Sequence, residues 1–351
     1  MAQRRGKHEL NQAIEMHLAA AQAAGQCLSA KDKVSRARLE ARVQAGQLVR
    51  PAADCYVSPE VWASLDAAER SLWVMRTIQR KHRGYVFCGE SAAIAWGLYE
   101  PRDYLARPDA ASRPYVATSL RSHSPSSRFV ERRFLPEGLD VCSTAAINVT
   151  TLERTAFDTA RFLGFRRGLG VCDRALAKSG LSSRELLDEF AEMGPSRGCA
   201  VARKCAKNAN SLSENGGESF ARAVMIEEGF APPLLQVPII DPFERGNSYR
   251  TDYFWLLDLC DAHRILNGLR NGTLPRNGAA GCIAGELDGW GKTFDERMTG
   301  TRSAQEMLLA ERRREARLTW YGIRVVRFSF AEVCRGDYLA NLLDSYGVPR
   351  V

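Results

Sequence analysis

Two carboxylates separated by one apolar residue, Glu286-x-Asp288, lie late in the 351-residue chain. Alternate side chains of an extended strand point to the same face, so this spacing places both acids side by side. Asp252 lies upstream in a β-prone aromatic run at 250–255, and Lys292 follows shortly after. Three carboxylates and an ammonium can hold Mg²⁺ or Mn²⁺ against a phosphate. The sequence therefore predicts a metal-dependent phosphodiester site.

Glu218 adds a further acid, at the start of a predicted helix. The order of these residues resembles the PD-(D/E)XK restriction-endonuclease-like superfamily, in the branch related to very-short-patch-repair endonucleases. That branch has a helical Glu, a strand Asp, an E-x-D-G strand and a displaced Lys or His in place of the usual E-x-K. The matching positions follow here in the same order: Glu218, Asp252, Glu286-x-Asp288 and Lys292.

The resemblance implies catalytic roles for these residues. Asp252 and Glu286 would hold the metal, with Asp288 or Glu218 adding a ligand directly or through water. Lys292 would orient or activate the attacking water and stabilise the charged phosphate. The cation would lower the pKa of its bound water, and Mg²⁺ suits a site made only of oxygen ligands.

Two further elements are predicted after the acids, a helix at 311–318 and a strand at 323–328. The stretch from Cys260 to Cys282 is rich in Gly and Asn, and we predict a hairpin or loop inserted between two core strands. Three arginines would contact DNA phosphates in an active domain: Arg250, Arg312 and Arg327. Alternatively, the same acids pair with these arginines or cap helices, as remnants of a nuclease fold kept for DNA binding or dimerisation.

Length and composition limit the possible classes of protein. A chain of this length is expected to form two or three domains. Its net charge of +8 favours a polyanionic partner such as nucleic acid. Ten cysteines are scattered without a C-x-x-C pair, which argues against a zinc finger and for a reducing cytoplasm. No stretch reaches the roughly 18 apolar residues of a membrane span, so no membrane association is expected.

Residues 1–58 are predicted to form a winged helix-turn-helix. Apolar residues at helical spacing predict a first helix ending near Ala24, and Ser35 is expected to cap a second helix at 36–45. A short supporting turn or helix is expected between them. Two extended runs, 47–50 and 55–58, would form the wing.

The second of these helices would read the DNA. Arg36, Arg38 and Arg42 would reach guanine edges or phosphates in a major groove, and Arg50 on the wing would touch the backbone. Three apolar residues of the helix are expected to face the core: Val34, Leu39 and Val43. The alternative is a solvated basic face on a small helical domain.

Residues 59–209 are predicted to form a small mixed domain. A single helix is expected at 59–81, followed by four short strands between 115 and 149 and a capped helix at 152–163. Within that helix Arg154 and Asp158 have the spacing of an ion pair. A linker at 210–217 would lead to the last domain.

The wing and the segments 89–98 and 149–158 together resemble the abortive-infection type IV antitoxin family (AbiEi-like). The resemblance implies a winged-helix protein that binds double-stranded DNA and represses its own operon. It also implies a functional link to a nucleotidyltransferase-like toxin.

The expected fold is thus α+β in the N-terminal and middle regions, followed by an α/β restriction-endonuclease-like domain at 218–351. We expect a cytoplasmic transcriptional regulator or antitoxin carrying a nuclease-like domain. One alternative is an Mg²⁺-dependent DNA endonuclease targeted by its winged helix; without activity, no cofactor is expected. The other alternative is a non-catalytic interaction protein.

Overall fold

Helices, short strands and turns make up the computed structural model, which describes residues 2–98, 113–119, 127, 129–135, 140–288 and 304–351. The fold is mixed α/β. The chain separates into two units. The first runs to Gly164 and includes Arg174–Asn208, and the second comprises Phe165–Asp173 and Ala209–Val351. None of the helices in the described segments is long and apolar enough to cross a membrane.

Two helices and a hairpin begin the first unit. Helix α1 spans Ala2–Ala23 and α2 spans Lys33–Gln44, and strand β1 (Val49–Ala52) pairs antiparallel with β2 (Cys55–Val57). Both helices and the hairpin contribute to one buried cluster, which consists of Ile14, Leu18, Ala30, Leu39, Leu48 and Tyr56. Because they share this core, they pack as one body.

The start of α2 and the segment before it differ from the prediction. Asp32 accepts a hydrogen bond from the Ser35 N–H (2.7 Å), and Ser35 Oγ accepts one from the Asp32 N–H (3.0 Å). Asp32 is therefore the cap, and Ser35 lies inside the helix. Between α1 and α2, over residues 24–32, no helix forms; Leu28 pairs instead with Tyr56 in an antiparallel bridge.

The rest of the first unit contains further helices and four short strands. The helices are α3 (Pro59–Ser64), α4 (Ala67–Lys81), α5 (Gly89–Trp96), α6 (Leu152–Leu163), α7 (Phe165–Ser179, which begins in the second unit), α8 (Ser183–Glu192) and α9 (Cys199–Asn208). The strands form two pairs, β3 (Tyr115–Thr118) parallel to β4 (Glu131–Phe134) and β5 (Val141–Thr144) antiparallel to β6 (Ile147–Thr150). Phe87 forms bridges to Val116 and Val149, one residue in each pair.

The expected single helix at 59–81 is wrong, because Asp66 and Glu69 form a capping box that starts a new helix there. The helix at 152–163 is confirmed. The ion pair between Arg154 and Asp158 is also confirmed, at 2.7 Å. Arg161 is a second partner of Asp158, also at 2.7 Å, so this buried carboxylate holds two guanidinium groups.

A four-stranded sheet organises the second unit. Its elements are α10 (Gly216–Glu227), β7 (Leu234–Ile240), β8 (Ser248–Leu256), α11 (Ala262–Asn271), β9 (Cys282–Asp288), α12 (Ala304–Trp320), β10 (Arg324–Ser329), α13 (Phe330–Val333) and α14 (Tyr338–Tyr346). The strand order is β10-β9-β8-β7. Strand β8 is antiparallel to β7 and β9, whereas β10 is parallel to β9.

Each face of this sheet packs against helices. On one face Tyr253 and Phe328 join residues of α10 and α14 such as Ala221 and Leu343. On the other face the buried cluster draws on β7, β8, α11, α12 and the turn after α12: Val237, Phe254, Ile265, Leu269, Leu318 and Tyr321. The sheet is therefore the middle of three layers.

The expected hairpin or loop between Cys260 and Cys282 is wrong. Residues Ala262–Asn271 form α11, and Ile265 and Leu269, one helical turn apart, are buried against the sheet. This segment is part of the core on the α12 side.

A buried ion pair fixes α10 within the second unit. Arg222 Nη2 lies 2.6 Å from Asp173 Oδ2, and the two side chains are 4% and 1% exposed. Asp173 also accepts hydrogen bonds from the Ser219 hydroxyl (2.6 Å) and the Asn210 N–H (2.8 Å). One carboxylate thus ties α7, α10 and the segment before α10 together.

Replacing Arg222 with Met should strongly destabilise the second unit, because it leaves Asp173 buried without its cation. Loss of one partner of a buried pair costs about 3–5 kcal/mol. Urea denaturation monitored by tryptophan fluorescence measures this loss in the free energy of unfolding.

The matched control is Asp188→Asn, which breaks the pair between Arg184 and Asp188, whose side chains are 81% and 60% exposed. Exposed pairs of this spacing contribute about 0.3–0.5 kcal/mol. Equal destabilisation by the two substitutions would show that Asp173 is not the anchor of α10.

Candidate functional site

Strand pairing brings Asp252 and Glu286 together. Strand β8 pairs with β9 so that Tyr253 lies opposite Gly285, and the next position places Asp252 opposite Glu286. Directly opposed residues of an antiparallel pair share a face, which here is the face packed against α12. Asp252 Oδ2 accepts a hydrogen bond from the Leu287 N–H at 2.8 Å. The two carboxylates therefore lie side by side at the end of the ladder.

Gly285 permits this pairing. A Cβ atom at position 285 would lie 3.0 Å from the Trp255 ring and 3.1 Å from Tyr253. Tyr253 and Trp255 stack with ring centroids 6.2 Å apart on that side of β8. Because glycine leaves room for these rings, β9 can run close against β8 up to Glu286.

Glu286 is buried and bound to a cation. Its Oε1 lies 2.7 Å from Nη2 of Arg314 on α12. Burial raises the pKa of Glu286 to about 7, and the nearby Asp252 also raises it, against the lowering effect of Arg314. Burial and the negative charge of Asp252 thus raise the pKa of Glu286 more than the Arg314 guanidinium lowers it. This is expected for a buried carboxyl that lies beside a second carboxylate.

Asp288 binds a different arginine. It pairs with Arg327 on β10, and Arg327 pairs with Glu311 on α12 as well. The hydrogen bonds that Arg327 donates to Asp288 raise the pKa of the Arg327 guanidinium. The structure therefore directs Asp288 toward β10 and away from shared ligation with Asp252 and Glu286.

Glu218 has a capping role at the start of α10. Its carboxylate accepts hydrogen bonds from the Glu214 N–H (2.7 Å) and from Asn215 Nδ2 (2.5 Å). Asn215 in turn accepts the Glu218 N–H at 3.0 Å. Helix α10 packs on the opposite face of the sheet from Glu286. The role of Glu218 as a metal ligand stays a prediction.

Lys292 lies outside the described residues, as does Gly289 of the E-x-D-G pattern. Across the segments that are described, no group of three or more His, Cys, Asp or Glu side chains could hold a metal ion. Asp252 and Glu286 supply adjacent oxygen ligands. Two carboxylates suffice for a Mg²⁺ ion that keeps most of its waters, so this pair fits such an ion.

Three arginines of the second unit contact residues at this end of the sheet, Arg250, Arg314 and Arg327. Arg250 pairs with Glu214 at 2.8 Å, and both side chains are about half exposed. Arg312 is exposed on α12. Arg327, expected as an acid partner, binds Asp288. Arg314 was not predicted as a site residue. The sequence feature that could have indicated it is the basic run 312–314 in a predicted helix.

The arginines expected to read DNA are engaged within the first unit. Arg42 lies 2.7 Å from Glu15 on α1 and is 16% exposed. Arg38 Nη1 lies 3.5 Å from Asn11 Oδ1, also on α1. Arg42 and Arg38 thus help dock α2 on α1.

Arg36 and Arg50 lie nearer to solvent. Arg36 is 42% exposed and contacts Asp54 at 3.5 Å, whereas Arg50 is 48% exposed and lies 2.6 Å from Glu40. Of the expected core residues of α2, Leu39 is buried and Val43 packs against the core. Val34 is 60% exposed, so its expected burial is wrong: the earlier start of α2 places it in the first turn, away from α1.

Comparisons with known proteins are limited to a short match. No protein-family model matches the chain, and no solved structure does. Two uncharacterized proteins of Mycobacterium tuberculosis, from strains CDC 1551 / Oshkosh and H37Rv, are each 36% identical to it over 101 residues. The match covers 29% of this chain and 36% of each relative, so the chain spans about a third of the length of the curated relatives it matches.

The raised pKa of Glu286 predicts a pH-dependent stability. The folded state binds a proton more tightly than the unfolded chain, whose carboxyl titrates near 4.5. The stabilisation from this group is complete below that value and is lost as pH rises through about 7.

Glu286→Gln removes this titration. The stability of the variant relative to the wild type should therefore increase by about 1–3 kcal/mol between pH 5 and pH 8. Urea denaturation at the two pH values measures the difference. A constant difference would mean that Glu286 titrates in the folded protein as it does in the unfolded chain.

Proposed function

We propose that this chain is a DNA-binding transcriptional regulator of the type IV antitoxin kind whose second unit is a nuclease-like module. The observation that carries the proposal is the arrangement of α1, α2 and the β1–β2 hairpin around one core, with Arg36 and Arg50 on its solvent side. A helix followed by a short hairpin is the arrangement of a winged helix, in which helix and wing contact neighbouring parts of the duplex.

The support for α2 is consistent with such a role. A helix that enters a groove must be held at a fixed tilt. Here α1 holds α2 through Leu18 and Leu39 in the shared core and through the pair between Glu15 and Arg42. The bridge between Leu28 and Tyr56 ties the hairpin to the chain before α2. These contacts take the place of the expected short supporting helix.

The order of elements in the second unit supports the nuclease-like part of the proposal. A helix bearing Glu218 precedes the strand bearing Asp252, and the strand bearing Glu286 and Asp288 precedes α12 and β10. This is the order that the resemblance to very-short-patch-repair endonucleases predicts. A fold of this kind does not itself imply catalysis.

A second candidate function is a metal-dependent DNA endonuclease, favoured by the adjacent carboxylates of Asp252 and Glu286. These two residues would hold Mg²⁺ or Mn²⁺. When bound, the cation would lower the pKa of a coordinated water and neutralise charge on a phosphate. Arg250 and Arg312, both exposed in the second unit, would contact backbone phosphates.

The remaining parts of the proposal concern setting and partners. In the regulator role the chain acts in the cytoplasm, binds double-stranded DNA and is functionally linked to a nucleotidyltransferase-like toxin. The third candidate, a non-catalytic interaction protein, would use the same surfaces without nucleic acid.

Arg36→Gln and Arg50→Gln should each weaken binding to the DNA upstream of the protein's own gene. A lost base contact costs about 1–3 kcal/mol, and a lost phosphate contact lowers the slope of log K against log salt by about 1. Both variants should fold, because each acid retains another partner. Asp54 still pairs with Lys81, and Glu40 still accepts a hydrogen bond from the Tyr56 hydroxyl. Fluorescence anisotropy at several salt concentrations measures affinity and slope.

Arg184→Gln is the matched control, since it removes an exposed arginine elsewhere in the first unit. It should bind DNA as the wild type does. Wild-type protein that binds no DNA at low salt, or that binds every sequence equally, would exclude the regulator.

The endonuclease candidate predicts cleavage of supercoiled plasmid with millimolar Mg²⁺ or Mn²⁺. Asp252→Asn should lower the rate at least about 100-fold, because it removes one of two carboxylates that hold the cation. An agarose-gel time course measures nicked and linear product. Cleavage that is equal in wild type and variant would come from a contaminant or another site.

A further inference from the structure

Arg314 lies where a cation is required. Its Nη2 atom is 2.7 Å from Glu286 Oε1 and 2.6 Å from the backbone oxygen of Arg250. Its side chain is 21% exposed, and that of Glu286 is 7% exposed. One guanidinium therefore bridges the buried acid on β9 and the strand that carries Asp252.

The charges of the site explain this position. Asp252 and Glu286 are opposed on neighbouring strands, and Glu286 has little contact with water. A buried carboxylate without a cation is strongly destabilising. Arg314 places one positive charge against Glu286, whereas a divalent ion would place two. Both cations would have to approach the same carboxylate pair, and their repulsion in this poorly solvated place disfavours joint occupancy.

Arg314 also has a second carboxylate within reach. Its Nη1 atom lies 3.6 Å from Glu311 Oε1, one turn earlier on α12, and Glu311 is 37% exposed. A rotation of the Arg314 side chain toward Glu311 would free Glu286 without moving the helix. The exposure of Arg314 leaves a path to solvent for this change.

We propose that Arg314 is a built-in cation that competes with divalent metal for Asp252 and Glu286, so that metal binds when the guanidinium leaves. This inference rests on the metal site of the second candidate function. It makes Arg314 a regulator of metal affinity.

The test is a titration of the full-length protein with Mn²⁺. The electron paramagnetic resonance signal of free Mn²⁺ measures how much of the ion is bound. Arg314→Gln should bind Mn²⁺ at least tenfold more tightly than the wild type. Arg313→Gln is the matched control, since it removes the same charge from an exposed position next along α12. It should bind Mn²⁺ as the wild type does. Adding Glu286→Gln to Arg314→Gln should remove the gain.

Arg314→Gln affinity equal to that of Arg313→Gln would overturn the proposal, as would a gain that survives Glu286→Gln. Circular dichroism establishes that each variant is folded. If Arg314→Gln does not fold, Arg314→Met replaces it, because methionine removes the charge and keeps a long, adaptable side chain that packs. A folded Arg314→Met that binds Mn²⁺ no more tightly than the wild type also overturns the proposal.

DNA binding is measured on the same preparations. It depends on the first unit, so intact DNA binding with unchanged Mn²⁺ affinity would reject the role of Arg314 and leave the regulator in place. Absence of DNA binding by the wild-type protein would reject the proposed regulator function, whatever the Mn²⁺ result.

Discussion

The opposition of Asp252 and Glu286 across β8 and β9 is the constraint on which the second unit depends. Two like charges on one buried face are unfavourable unless a proton or a cation compensates them. The pKa of Glu286 near 7 and the contact with Arg314 are the two forms of that compensation. Helix α12 must therefore place an arginine against Glu286. The packing of Leu318 against the sheet fixes the position of the helix.

The opposite face of the sheet holds the strands in register. Tyr253 and Trp255 pack in the cluster that includes Ala221 of α10, and the Tyr253 hydroxyl donates to the Glu218 backbone oxygen at 2.8 Å. The buried pair of Asp173 with Arg222 anchors α10 in turn. Residues far from the acids thus determine where β8 lies against β9, and so whether Asp252 meets Glu286.

Local patterns in the sequence were sufficient to predict much of this arrangement. Strand alternation in Glu286-x-Asp288 and the capped helix at 152–163 are confirmed, since each depends on neighbouring residues only. The rotation of α12 about its axis depends on packing, and it selects Arg314, not Arg312, as the partner of Glu286. The spacing of Ile265 and Leu269 did signal α11, but the Gly and Asn content around it favoured a loop. Asp66 with Glu69 was a readable capping box that the long apolar pattern at 59–81 obscured.

The arginine–carboxylate pairs of this chain differ in solvent exposure, and exposure determines how readily an external partner can replace one member of a pair. The pair of Arg222 with Asp173 is buried on both sides, so no external partner can replace either residue without unfolding. Pairs such as Arg50 with Glu40 are half exposed and contribute little to stability, so a phosphate can take the arginine at small cost. Arg314 with Glu286 lies between these cases: the acid is buried, the arginine reaches solvent, and Glu311 offers a second partner. The proposed exchange of a protein cation for an external one requires that combination.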